Sequence, residues 1–434
     1  MSVRRGEERA NAGGGGVARR TVTRSAVMLA AGALLGGGAV GTARAGQSEP
    51  ERAQSERERA RAWVTPRLPA PSGPHPIGAT TLYLVDPDRS DPWEPGIGVR
   101  ELMLTVVYPA RAVPGRPVAR QMTEAAAALF AQIDAAVHHL PTSGVNWAAI
   151  TTHAHLDAPA REVPGPVILY SPGGGDPRTL GTGLAEELAS HGAVVVALDH
   201  PGDASEVDFP VTRPGRPDRV RTTVLRADPR NDPGLFRTMI GTRIADIRFV
   251  LGQLAVLAAG GNPDAAGRAL PPGLGRTLDL RRTGVYGHSA GGTAAAQALF
   301  EDPRIRAAAD LEGYLDHPGP APGRPGELFP VARYGVDRPL LLLGSAGFPH
   351  RGELARSWSA VRARSGGRVH RAEIAGAAHW VFTDYAALAP QLQAAGLMAA
   401  DDRRALVGPI GPAESVPLVR GWVRSFFARQ LPRR

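Results

Sequence analysis

Ser289 stands in Gly287-His288-Ser289-Ala290-Gly291-Gly292, where small residues sit two positions either side of a serine. A sharp strand-to-helix turn demands that pattern, because the chain folds back on itself there. A serine hydroxyl is a weak nucleophile until a base takes its proton, and the base needs a third group to hold it. Two carboxylates follow, Asp310 and Glu312, and His379 comes after the last expected strand. The order serine, acid, histidine suits acyl transfer on a strand–turn–helix scaffold. Asp310 and Glu312 are two apart, so in an extended strand both face the same side and either can be the acid. Glu312 is expected to be the acid, because it stands nearer the strand's exit, with Asp310 as the alternative. His288, beside the nucleophile, is expected to pack under the turn. An acyl-transfer oxyanion needs two backbone donors. The amide of Ala290 is one candidate, and Gly174 in Gly173-Gly174-Gly175 is the other. No Gly-Lys-Ser or Gly-Lys-Thr follows those glycines, so they do not read as a nucleotide cradle.

The surrounding elements must bring these groups to one edge of a sheet. Residues 167–170 read as a short buried strand running into the glycine loop, 180–190 as a helix, and 193–198 as another apolar strand. That order predicts a parallel α/β arrangement, with the site at the carboxyl ends of the strands. A helix over 240–257 precedes the serine strand. Strands are expected at 305–311, 340–344 and 369–374, with helices at 353–364 and 418–428. Residues 80–85 and 99–108 form a predicted antiparallel pair at one edge of the sheet. A helix at 123–138 and the less regular stretch after it mark a cap region near 120–164. His153-x-His155 in that stretch has no acidic partner at a metal-ligand spacing, so no metal is expected there.

The chain has 434 residues, 43% of them apolar, and no cysteine. Disulfides, thiolate chemistry and cysteine-bound metals are excluded. The net charge of +9 rests on arginine alone, for there is no lysine, and the arginines are scattered rather than gathered with aromatics. That distribution excludes a nucleic-acid footprint.

Arg19-Arg20 heads an apolar, glycine-rich run from 26 to 40 that closes on Ala43-Arg44-Ala45. A basic start, a modest apolar run and a small-x-small site make residues 1–45 a secretory signal, and the paired arginines fit the twin-arginine type. Residues 46–76 are charged and then proline-rich, and are expected to be a flexible tether. A single catalytic domain is expected over 77–434.

With the histidine loop His379-Trp380-Val381-Phe382-Thr383-Asp384, Leu311-Glu312-Gly313-Tyr314 and Tyr170-Ser171-Pro172-Gly173-Gly174-Gly175, the chain resembles the platelet-activating factor acetylhydrolase family of the α/β-hydrolase fold. The resemblance covers residues 72 to 430. It implies a secreted serine esterase cleaving short acyl esters of phospholipids, with Ser289, Glu312 and His379 as the triad and no cofactor or metal. Broader lipase or polyester-type activity, or a degraded binding protein on this scaffold, are the alternatives. The implied partners are a small-molecule or lipid ester and transient lipid surfaces, with no nucleic acid and no stable protein partner. Two departures stand out. The family's usual acid is aspartate where Glu312 stands, and its oxyanion loop has His-Gly where this chain has Pro172-Gly173.

Overall fold

The structure is a computed structural model and describes residues 63–111, 115–321 and 324–432. The expected signal at 1–45 and the first part of the tether lie outside the described residues. Among the described residues, ten strands form one sheet. They are β1 (Ile77–Asp86), β2 (Arg100–Pro109), β3 (Val118–Arg120), β4 (Thr151–Leu156), β5 (Gly165–Ser171), β6 (Val194–Leu198), β9 (Leu278–His288), β10 (Ile305–Leu311), β11 (Leu340–Ser345) and β12 (Val369–Ile374). The short β7 (Glu206–Asp208) and β8 (Val220–Thr222) pair separately. The spatial order is β12-β11-β10-β9-β5-β6-β2-β1-β4-β3. Six neighbours from β12 to β6 run parallel, and β2 joins β6 and β1 antiparallel.

Strands β5, β6 and β11 are buried and apolar along nearly their whole length because both faces are covered. Val167 and Leu169 of β5, with Leu340 and Leu342 of β11, face one core. Ile168, Tyr170, Leu341 and Leu343 face the other. Helices α3 (Pro233–Ala258), α4 (Ala290–Glu301) and α6 (Arg351–Arg364) cover the first face. Helices α2 (Thr182–Ser190) and α9 (Pro412–Gln430) cover the second. A third apolar cluster joins α1 (Glu124–Val137), Trp147, α7 (Tyr385–Ala394) and α8 (Ala400–Val407). The one-turn α5 (Pro330–Tyr334) packs on α6.

The antiparallel pair forms as expected, but it is not the rim: β4 pairs with β1 and carries β3 beyond it. The expected cap region is thus partly sheet. Helix α3 starts seven residues earlier than the apolar pattern suggests, at Pro233. A proline at the first helical position loses only an N–H that the helix leaves unpaired anyway. Asp232 caps that end, accepting from the N–H groups of Gly234 (2.9 Å) and Leu235 (3.0 Å).

Residues 63–76, read as tether from their prolines, are docked along the body. Val64 bridges Val145, and Leu68 is buried in the third cluster. Ser72 donates its N–H and its hydroxyl to Glu187 (2.8 and 2.6 Å). Arg420 of α9 donates to the carbonyls of Ala70 (2.7 Å) and Pro69 (2.8 Å). Proline stops regular structure but not packing, and the segment meets its hydrogen bonds through side chains and through backbone bonds at Val64, His75 and Pro76.

Candidate active site

Strand β9 ends at His288, and Ser289 turns the chain at φ 54°, ψ −120° before α4 begins. Such a backbone costs about 1–3 kcal/mol and persists only where the surroundings over-determine it. Here the Ser289 N–H donates to Leu311 (2.9 Å) and its carbonyl accepts from Thr293 (3.1 Å). A side chain on Gly287 would strike the backbone of Gly291, and one on Gly291 would strike the carbonyl of Ser171. Those two glycines are the close approaches that let α4 fold back against β5. Ser289 Oγ makes no hydrogen bond among the described residues and is partly exposed.

Strand β10 ends at Leu311, and Glu312 leaves it at φ 66°. Its carboxylate is wholly buried and accepts from His379 Nδ1 at 2.7 Å. The N–H of Ser345, at the end of β11, holds Oε1, and the Ser345 hydroxyl donates to Oε2 at 3.1 Å. His379 opens a single helical turn (His379–Phe382), with its ring stacked on Phe348 at 5.0 Å. With Nδ1–H donating to a carboxylate, Nε2 is the basic nitrogen. The structure therefore brings Glu312 to His379.

Asp310 does not join them. It is still within β10, and its Oδ1 accepts from the N–H of Gly313 at 2.6 Å. Burial first, and then the Glu312 charge, push the Asp310 carboxyl well above the usual range despite that bond. The strand stops between the two residues, and of the two carboxylates Glu312 is the one that meets His379.

A Cβ placed on Gly174 would lie 3.5 Å from the Cβ of Ala290, so the glycine loop faces the head of α4. Ala290 is the first helical residue, and its N–H is one of the donors a helix leaves unpaired. The loop is held from behind by residues the sequence did not mark. Buried Arg243 of α3 donates to the carbonyls of Pro172 (2.5 Å) and Gly173 (2.8 Å) and to Asp203 (2.6 Å). Asp203 also accepts from the N–H of Gly175 (2.9 Å). Ser171 Oγ meets His200 Nε2 at 2.9 Å, and His200 Nδ1 meets Asp246 at 2.9 Å. A buried arginine within a helix was the only signal, and it has no fixed spacing from the loop.

His288 is wholly buried, and its Nε2 donates to the carbonyl of His379 at 3.0 Å. His153 meets Glu186 at 2.9 Å, while His155 bonds the carbonyl of Arg116. Those two histidines diverge. Asp134, His138 and Asp176 do gather, with one ligand atom from each within 4.8 Å of the others. A cavity of about 540 Å³ is lined by Thr105, Met122, Arg178 and Glu186 among others and by none of Ser289, Glu312 or His379.

Residues 147–402 match the family described as platelet-activating factor acetylhydrolase, isoform II. The chain belongs to that family. The match takes in the glycine loop, the elbow, Glu312 and His379 of this platelet-activating factor acetylhydrolase family member. A curated relative, a "probable 1-alkyl-2-acetylglycerophosphocholine esterase" of Arthroderma benhamiae, is 24% identical over 273 residues. The alignment takes 60% of this chain and 59% of that protein, so the chain spans under two thirds of its relative's length. A solved ferulic acid esterase from Streptomyces cinnamoneus is 30% identical, with a TM-score of 0.66, over 85% of this chain and 94% of its own.

Proposed function

We propose that this chain is a carboxylic-ester hydrolase working through Ser289, His379 and Glu312. The observation that carries the reading is the 2.7 Å bond from His379 Nδ1 to a wholly buried Glu312, beside an elbow serine at φ 54°. Ser289 Oγ attacks the acyl carbon while His379 Nε2 takes its proton. The oxyanion sits against the N–H groups of Ala290 and Gly174. His379 returns the proton to the leaving alcohol, and water then cleaves the acyl-enzyme by the same route. A fluorophosphonate probe should label the wild-type protein, and Ser289→Ala should abolish labelling. Labelling that survives the substitution would move the nucleophile elsewhere.

For the substrate, the family and the curated relative support short acyl esters of phospholipids. A second reading has its own support in the ferulic acid esterase relative and in the aromatic surroundings of His379. Phe348 stacks on its ring, and Tyr314 lies 5.8 Å from Phe348. That wall suits an aryl ester of a small alcohol. Parallel kcat/KM values for a 2-acetyl phospholipid, methyl ferulate and p-nitrophenyl esters of rising chain length separate the two. Short p-nitrophenyl esters should be turned over fastest within their series, and a preference for long emulsified triglycerides would sink both readings. Export through residues 1–45 is proposed from Arg19-Arg20 and Ala43-Arg44-Ala45. A mature N-terminus at Gly46 outside the cell supports it, and an intact leader on cytosolic protein refutes it.

A further inference from the structure

Beside the candidate triad lies a buried cluster that the ester chemistry does not use. Asp134 lies in the last turn of α1, His138 caps its C-terminal end four residues on, and Asp176 follows the glycine loop. All three are buried. His138 Nε2 lies 3.6 Å from Asp134 Oδ1 and 3.6 Å from Asp176 Oδ1. Both separations are too long for a hydrogen bond. They match the edge of a tetrahedron around zinc, about 3.3–3.6 Å for bonds of about 2.0–2.2 Å.

The partners of the carboxylates point the same way. Buried Asp91, Asp199, Asp203 and Asp246 each hold an arginine. Asp134 and Asp176 face only histidines as cationic partners among the described ion pairs. Two buried carboxylates need a compensating charge, and one divalent ion between neutral imidazole and two carboxylates leaves none over. The second observation is independent of the cluster. His288, wholly buried, gives its Nε2 proton to a carbonyl, so a neutral ring turns a bare Nδ1 towards Asp176 Oδ2 at 3.6 Å. That Nδ1 has no hydrogen-bond partner among the described residues, nor has Asp134 Oδ2. Two acceptors, His288 Nδ1 and Asp176 Oδ2, face each other with nothing to share between them. Tyr385 donates to Asp134 Oδ1 at 3.3 Å, the kind of outer contact that orients a ligand.

We propose that Asp134, His138 and Asp176 form a structural zinc site, with His288 Nδ1 set against the other carboxylate oxygen of Asp176. The ion would tie the C-terminal end of α1 to the end of the glycine loop, whose Asp176 also meets His288 at the end of β9. It takes no part in bond making, so the site stands whether or not the ester reading holds.

The test uses the full chain stripped with EDTA and titrated with ZnCl2, followed by calorimetry and elemental analysis. One zinc per chain should bind with a dissociation constant below about 1 μM and raise Tm. His138→Gln and Asp134→Asn should each weaken binding at least tenfold while far-UV circular dichroism stays unchanged. Absence of uptake, or uptake that both variants retain, overturns the proposal. Stabilisation by CaCl2 equal to that by ZnCl2 overturns the choice of metal. Should the variants fail to fold, Co2+ in the stripped wild-type chain decides: intense tetrahedral visible bands, lost on adding Zn2+, support the site, and their absence refutes it.

Discussion

At the scale of single residues, Glu312 and Asp310 have opposite jobs although they are two positions apart. Glu312 takes the His379 Nδ1 proton at 2.7 Å, whereas Asp310 accepts from Gly313 and is raised by burial. Glu312→Gln should therefore cut turnover of a short ester by roughly a thousandfold or more. Asp310→Asn keeps its acceptor oxygen and should cost little turnover. Kinetics on both variants, with folding checked by circular dichroism, decide the matter, and the reverse ranking would make Asp310 the acid. His200 gives a prediction about pH. Burial first, then Arg243, holds it down at about 4, against Asp246 and Asp203, which raise it. The unfolded chain titrates its histidines near about 6.5. Between those values the unfolded state binds the proton that the folded state refuses. Stability therefore falls as pH drops from about 6.5 to 4, by roughly 3 kcal/mol from this group. Urea unfolding at several pH values should show a shallower acid loss in His200→Gln. Equal slopes would place the effect on other groups.

Among the elements, the turn between β9 and α4 is the least tolerant of change. Gly291→Ala drives a methyl group into the carbonyl of Ser171. Overpacking against backbone costs about 1–3 kcal/mol or more, and here it also shifts the glycine loop. Thermal unfolding should show a clear drop in Tm, with turnover falling further than stability explains. An unchanged Tm would mean that the loop yields freely. The same elements explain what could be read in advance. Strands β10 and β12 match their expected limits because each is apolar or alternating and closed by turn residues. The small residues of the elbow fixed the place of Ser289, because only a tight turn needs them. Strands β3 and β4 were missed. Thr151–Leu156 alternates weakly, and its last residue is exposed, so no apolar face announced a strand. Arg243, Asp203 and His200 escaped notice for another reason. They act from distant parts of the chain through side-chain bonds, and such bonds leave no period in a sequence.

For the whole molecule, the sheet is assembled out of chain order. β9 sits beside β5, although more than a hundred residues separate them, and β1 and β2 lie beyond β6. Contacts of that range make folding slow, since loops must close before any pairing is gained. Among the long closures is that at Arg420, whose guanidinium reaches Ala70 across 350 positions of sequence. A ribosome adding about 5–20 residues each second needs roughly 20–70 s to travel from one to the other. Throughout that interval the carbonyls of Pro69 and Ala70 wait without their partner, and the segment that leads out to residues 1–62 is not yet fastened by α9. Translation itself thus sets a clock: Pro69 and Ala70 gain this clamp only once Arg420 has been made.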